Sequence, residues 1–164
     1  MPFSLQSRKT EPVIVALSDG DALVAWLSPG EQGRPQILAR RLGSDGLPAG
    51  DAFRVDSGEA LGHGPPSMAC TSGDEVIVAY SRVDVDGRPI GVFARRLDGD
   101  VLVGEEWRVD CAQDAQPIEP SVAASPSGEI LIGWLEVEAD GYGIRLRRYS
   151  REGDRLEAQA VQVL

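Results

Sequence analysis

Side chains equipped for acid–base or metal chemistry are unevenly supplied in this chain. Against 26 Asp and Glu residues there is one histidine, His63, in the segment Leu61-Gly62-His63-Gly64. A single imidazole with no serine or cysteine motif beside it does not make a nucleophilic triad. A metal centre built on it would need carboxylates from distant segments. His63 is therefore expected in an exposed loop, with a ligand or partner contact as its functional reading. Asp84-Val85-Asp86-Gly87 has the alternating carboxylates that open a calcium loop. Pro89, Ile90 and Val92 then fill later ligand positions and no Glu closes the loop. Hairpin-turn chemistry is the better account, with Asp84 and Asp86 as subsidiary calcium candidates. Tyr142, flanked by Asp140 and Arg145, and Trp107 are the aromatics suited to a carbohydrate or peptide contact. A Gly-rich phosphate loop, a nucleophile elbow and a His-Glu-x-x-His pair are all missing from the sequence. No catalytic residue and no cofactor is assigned.

The elements that carry these residues are written three times. Pro12, Pro66 and Pro120 recur at a 54-residue period, and each opens the same series. The first run is PVIVAL, PSMACT or PSVAAS, followed by a turn rich in Gly, Asp and Ser. The second is ALVAWL (22–27), VIVAYS (76–81) or ILIGWL (130–135), each apolar on both faces, so each sheet needs cover on both sides. The third carries an Arg pair: Arg40-Arg41, Arg95-Arg96 or Arg147-Arg148. The fourth is AFRVD (52–56), EWRVD (106–110) or AVQVL (160–164). The Arg pairs predict one guanidinium on each strand face, with Asp56 and Asp110 as ion-pair partners between units. Trp26, Tyr80 and Trp134 hold one repeat position and are expected in the core. A function of the single chain should sit where the repeat is broken.

Four short antiparallel strands per period predict an all-β fold of three β-propeller-like blades, 11–64, 65–118 and 119–164. Residues 1–10 form a tail or a clasp strand. The series Trp26, Ile37–Leu42, Asp45-Gly46-Leu47-Pro48-Ala49-Gly50 and Phe53–Asp56 resembles tandem propeller-like repeats of large bacterial surface and secreted proteins. That resemblance implies binding or scaffolding rather than one chemistry. Propellers usually close with four to eight blades. Three blades with uncapped apolar ends predict a homodimeric six-bladed ring, or another protein that supplies the missing blades.

The net charge of −10 argues against nucleic acid and against an anionic membrane surface. No apolar run reaches membrane-spanning length. A cytoplasmic chain is the default expectation, and a secreted or periplasmic one if a leader was removed. Cys70 is expected as a small core residue, and its pairing with Cys111 stays open. The leading reading is a non-catalytic interaction module. A carbohydrate-binding propeller and a hydrolase or lyase on a propeller scaffold are the alternatives.

Overall fold

The computed structural model describes residues 11–30, 33–58, 62–110, 116–138, 141–157 and 160–163. Residues 1–10, Cys111 and Asp140 lie outside them, and with them the clasp strand, the possible disulfide and one candidate contact residue. The described residues form three antiparallel sheets, one per repeat. The first orders β1 (Val13–Ala16), β2 (Ala22–Pro29), β3 (Pro35–Leu42) and β4 (Phe53–Arg54). The second holds β5 (Gly62–His63) and β6 (Ser67–Cys70) on one edge of β7 (Glu75–Val83), then β8 (Pro89–Asp98) and β9 (Val101–Arg108). The third orders β10 (Gln116–Ala124), β11 (Ile130–Glu138), β12 (Gly141–Tyr149) and β13 (Val161–Gln162).

The sheets stack face to face, as their doubly apolar second strands require. Leu23, Ala25, Ile37, Ala39 and Val55 of the first sheet pack against Val76, Val78, Tyr80 and Leu97 of the second. The opposite face of the second sheet offers Ile77, Ala79, Val92, Ala94 and Val109 to Ile130, Ile132, Trp134 and Tyr149 of the third. Side chains alternate along each strand. Positions 23, 77 and 131 thus point toward the following sheet, and positions 24, 78 and 132 toward the preceding one. The middle sheet is covered on both faces along its second strand, and β7 is buried from Val76 to Arg82.

Polar contacts between sheets gather at the turns. Ser18 donates both its amide (2.7 Å) and its hydroxyl (2.5 Å) to Asp74. Arg41 binds Asp19 and Asp21 in its own sheet and reaches Asp100 of the second, 3.5 Å away. Arg96 pairs with Glu75 at 2.7 Å and donates to the Arg151 carbonyl of the third sheet at 3.4 Å. Asp56 and Asp110 do not pair with an arginine of another sheet, which corrects the expected pairing. Each lies two residues beyond an arginine of its own strand, on the same face. They pair with Arg54 (2.6 Å) and Arg108 (2.7 Å) instead. Their Oδ1 atoms accept the Ile37 and Val92 amides, both at 2.7 Å, which ties the end of each of the first two repeats to its third strand.

A second correction concerns where the inner strands begin. The repeated prolines look like strand starts, but β5 and the first residues of β10 pair with their neighbours upstream of them. Gly62 and His63 face Val83 and Arg82, and Ile118 faces Leu135. The register shifts between Ile118 and Ser121, so Glu119-Pro120 together oppose Trp134. Proline, with no N–H to donate, is tolerated in a sheet at such a bulge.

Because Ile77 is sealed between two sheets, Ile77→Ala should cost about 2–5 kcal/mol. Val101→Ala, at a position 62% exposed, should change stability by less than about 0.5 kcal/mol. Urea denaturation of both variants reads the difference, and equal losses would contradict the stacking.

Candidate functional site

The inner strands β1, β6 and β10 lie side by side, and the Val122 amide donates to Ser67 Oγ at 3.0 Å across two of them. Their opening ends share one repeat phase. In the first unit Glu11-Pro12 stands there, in the second Pro65-Pro66, in the third Glu119-Pro120. Both glutamates hold a left-handed backbone, with φ of 32° at Glu11 and 50° at Glu119. Non-glycine residues seldom adopt this region, and each such residue costs about 1–3 kcal/mol. Asp74 has the only other such backbone among the described non-glycine residues, and it sits in a turn between strands. Two carboxylates two repeat periods apart therefore share a strained geometry at matching places. Glu119 is exposed and Glu11 half-buried.

Buried charge gathers at this same end of the sheets. Glu136, opposite Pro117 of β10, is 7% exposed. It accepts from Arg145 Nε at 2.7 Å and lies 3.4 Å from Trp134 Nε1. At the same phase the second unit has Arg82 and the first Ser28. Arg82 binds Glu106, donates to Ser57 Oγ at 2.6 Å and sits 3.9 Å from the centre of the Phe93 ring. Tyr80 donates its hydroxyl to Glu106 at 2.5 Å. Burial, then the Glu106 charge, push the Tyr80 phenol far above its ordinary range, so it remains a donor.

His63 is not the exposed loop residue expected. It lies in β5, only 4% exposed, edge-on to Tyr80 with ring centroids 5.3 Å apart. Its Nε2 is 3.2 Å from Asp56 Oδ2. The glycines on either side suggest a loop, whereas the chain there extends along β7 ahead of the bulge. Burial by itself would raise the Asp56 pKa. The His63 imidazole beside it and hydrogen bonds from Arg54 and the Ile37 amide outweigh it and hold the carboxyl well below the usual carboxylate range.

The remaining candidates are dispersed. Tyr142 is 69% exposed at the start of β12. Arg145 is engaged by Glu136 and Glu138, at 2.7 and 3.0 Å, and by Gln162. Trp107 is half-buried, edge-on to Tyr149 at 6.0 Å, and packs against the core between the second and third sheets. Asp84 Oδ1 accepts the amides of Asp86 and Arg88, both at 2.9 Å, as a hairpin turn requires. Cys70 is half-buried, with its thiol pushed up by burial and by Asp74. A shallow depression of about 390 Å³ lies at the opposite end of the inner strands, among Leu17, Ser18, Thr71, Asp74 and Ser125. It is remote from the strained glutamates. Among the described residues no helix is long and apolar enough to cross a membrane. Sequence reasoning passed over Glu11 and Glu119. The available signal was their shared phase, one residue before a repeated proline.

Known structures fix the fold. The chain is similar to an endo-arabinase from Bacteroides thetaiotaomicron, with TM-score 0.60, 11% identity and coverage of 92% of this chain and 61% of that one. It is also similar to an alpha-L-arabinofuranosidase from Lactobacillus brevis, with TM-score 0.61, 14% identity and coverage of 94% and 53%. The architecture is a β-propeller type. This chain spans little more than half of each neighbour. Neither a protein-family model nor a curated protein matches it. These neighbours run against the expectation of a chain that is not an enzyme, because two solved chains sharing its fold are an endo-arabinase and an alpha-L-arabinofuranosidase.

The depressed Asp56 pKa has a testable sign. The folded chain holds this proton more weakly than the unfolded chain, so the carboxylate adds stability above the ordinary carboxylate pKa of about 3.9. That stability is lost as the pH falls toward the folded value. Asp56→Asn should lower stability at pH 7 by about 1–3 kcal/mol and flatten the decline below about pH 4. Urea midpoints across that range measure both effects, and an unchanged acid slope would rule this role out.

Proposed function

We propose that the chain is a glycoside-directed hydrolase unit that uses Glu11 and Glu119 as its carboxylate pair on an α-L-arabinofuranosidic linkage. The observation that carries this reading is the shared left-handed backbone of the two glutamates at one phase of the first and third inner strands. Strain of this kind persists where the surrounding structure over-determines it, as at sites of chemistry. The propeller likeness to an endo-arabinase and an alpha-L-arabinofuranosidase supports the choice of substrate class.

The chemistry needs two carboxyl groups. One, protonated, donates to the glycosidic oxygen as its bond to the anomeric carbon breaks. The other, ionised, either takes a proton from the attacking water or attacks the anomeric carbon itself, and their separation selects between the two courses. Glu136 and Arg82, buried at the same end, would set the local field, and the exposed ring of Tyr142 offers a flat face to a sugar.

Assays with 4-nitrophenyl α-L-arabinofuranoside and debranched arabinan test the reading. Glu11→Gln and Glu119→Gln should each lower kcat by about 10²–10⁴-fold, and Glu119→Gln, at an exposed position, should do so with the urea midpoint unchanged. Glu119→Gly should gain about 1 kcal/mol of stability by relieving strain while losing activity, a split that a purely structural glutamate would not produce. No turnover of either substrate by the folded chain, or full kcat in both Gln variants, defeats the proposal. Sugar binding without turnover would return the carbohydrate-binding alternative.

A further inference from the structure

The two end sheets each leave uncovered a face that the repeat covers elsewhere. Val55, Val109 and Val163 occupy one position: their amides donate to Ile37, Val92 and Ile144, each the matching carbonyl of the third strand. Val55 and Val109 are fully buried, each beneath the following sheet, while Val163 is 56% exposed. Around it on the same face of the third sheet lie Leu131, Leu135, Ile144 and Leu146, none fully buried. The first sheet shows the converse. Met68 and Val122 are partly buried against the preceding sheet, whereas Ile14, at the same phase, is 62% exposed. Trp26 is only half-buried where Tyr80 and Trp134 are sealed.

The polar latch is unpaired in the same sense. Arg41 and Arg96, opposite Leu23 and Ile77, reach the turn after the third strand of the next sheet. Arg148 holds that position opposite Leu131, and it pairs with Glu157 of its own repeat. Arg41 reaches Asp100, the third residue after Leu97. The third residue after Leu42 is Asp45, so the first sheet carries a carboxylate at the place an Arg148 from a preceding sheet would meet.

We propose that a second copy of this chain seats its first sheet on the third sheet of the first copy, and the reverse, closing a six-bladed ring. Each new interface repeats the established sheet-to-sheet interface in apolar content and places Arg148 of one chain at Asp45 of the other. A two-fold arrangement uses both free faces twice and leaves none open. Six blades fall within the range in which propellers close.

Sedimentation velocity and light scattering on the intact chain test this. The expected mass is twice 17.5 kDa. Val163→Arg and Ile14→Asp change exposed positions on opposite end faces, so each chain should keep its circular dichroism. Each should weaken self-association by about 100-fold or more, since a charge is buried in every interface. Mixing the two variants should restore a dimer, because one of the two interfaces then joins unaltered faces. The charge swap Arg148→Asp with Asp45→Arg should recover association that either change alone reduces. A wild-type mass of one chain, an open-ended polymer, or a dimer indifferent to both face variants would overturn the ring. Should one variant fail to fold, the other face and the charge swap still decide the matter.

Discussion

Every sheet of this molecule is apolar on both faces, and the rest of the architecture follows from the need to cover them. The second strand of each repeat places Val, Ile, Leu or Ala on both sides of the pleat, so neither face tolerates water. The middle sheet meets that demand fully, with β7 buried along seven consecutive residues. Its two neighbours are related to it by the same repeat and have the same demand, but each is covered once. The three equivalent valines, two of them sealed and one more than half exposed, make the asymmetry concrete. Each donates its amide to the matching carbonyl of its third strand, and only the first two have a following sheet above them.

Stacking also fixes where polarity is allowed. Turns carry the inter-sheet hydrogen bonds, and one end of the inner strands collects charge that the cores cannot hold. There Asp56, Arg82 and Glu136 are each less than a tenth exposed, and each is paired or hydrogen-bonded. Burying such groups costs several kcal/mol apiece unless partners compensate. The compensation differs between repeats: Ser28, Arg82 and Glu136 share a phase but not a chemistry. The fold therefore keeps a strand end at this place in every repeat and varies the side chains on it.

Much of the architecture was legible in the sequence because it is repeated. A glycine turn, an aromatic and an Arg pair read once are ambiguous, but read three times in phase they define a sheet. The bulge was not legible, since proline ordinarily marks a strand boundary and nothing local tells a boundary from a bulge. That ambiguity displaced His63 from a buried strand into a loop. Asp56 and Asp110 were assigned to distant arginines because charge complementarity has many solutions in a sequence. The alternation of a strand, which puts residue and second neighbour on one face, selects Arg54 and Arg108. The glutamates before the prolines were overlooked for a related reason. Strain is a property of φ, and the sequence does not print it.

On the proposed reading, function is not confined to the places where the repeat is broken. Glu11 and Glu119 are kept across two units, so a search for breaks passes over them. The carboxylate is not common to all three units, because the second fills the same phase with Pro65 and forms the same kind of sheet. A residue shared by two units, dispensable in the third and held in a costly backbone conformation meets a stricter criterion than novelty. Packing does not account for it, since Glu119 is exposed. Nor does turn propensity, since both glutamates stand at inner strands rather than in the hairpins. The bulge between Ile118 and Ser121 accommodates the backbone of Glu119, and the carboxylate at that phase is a choice of side chain that the second unit makes differently, with Pro65.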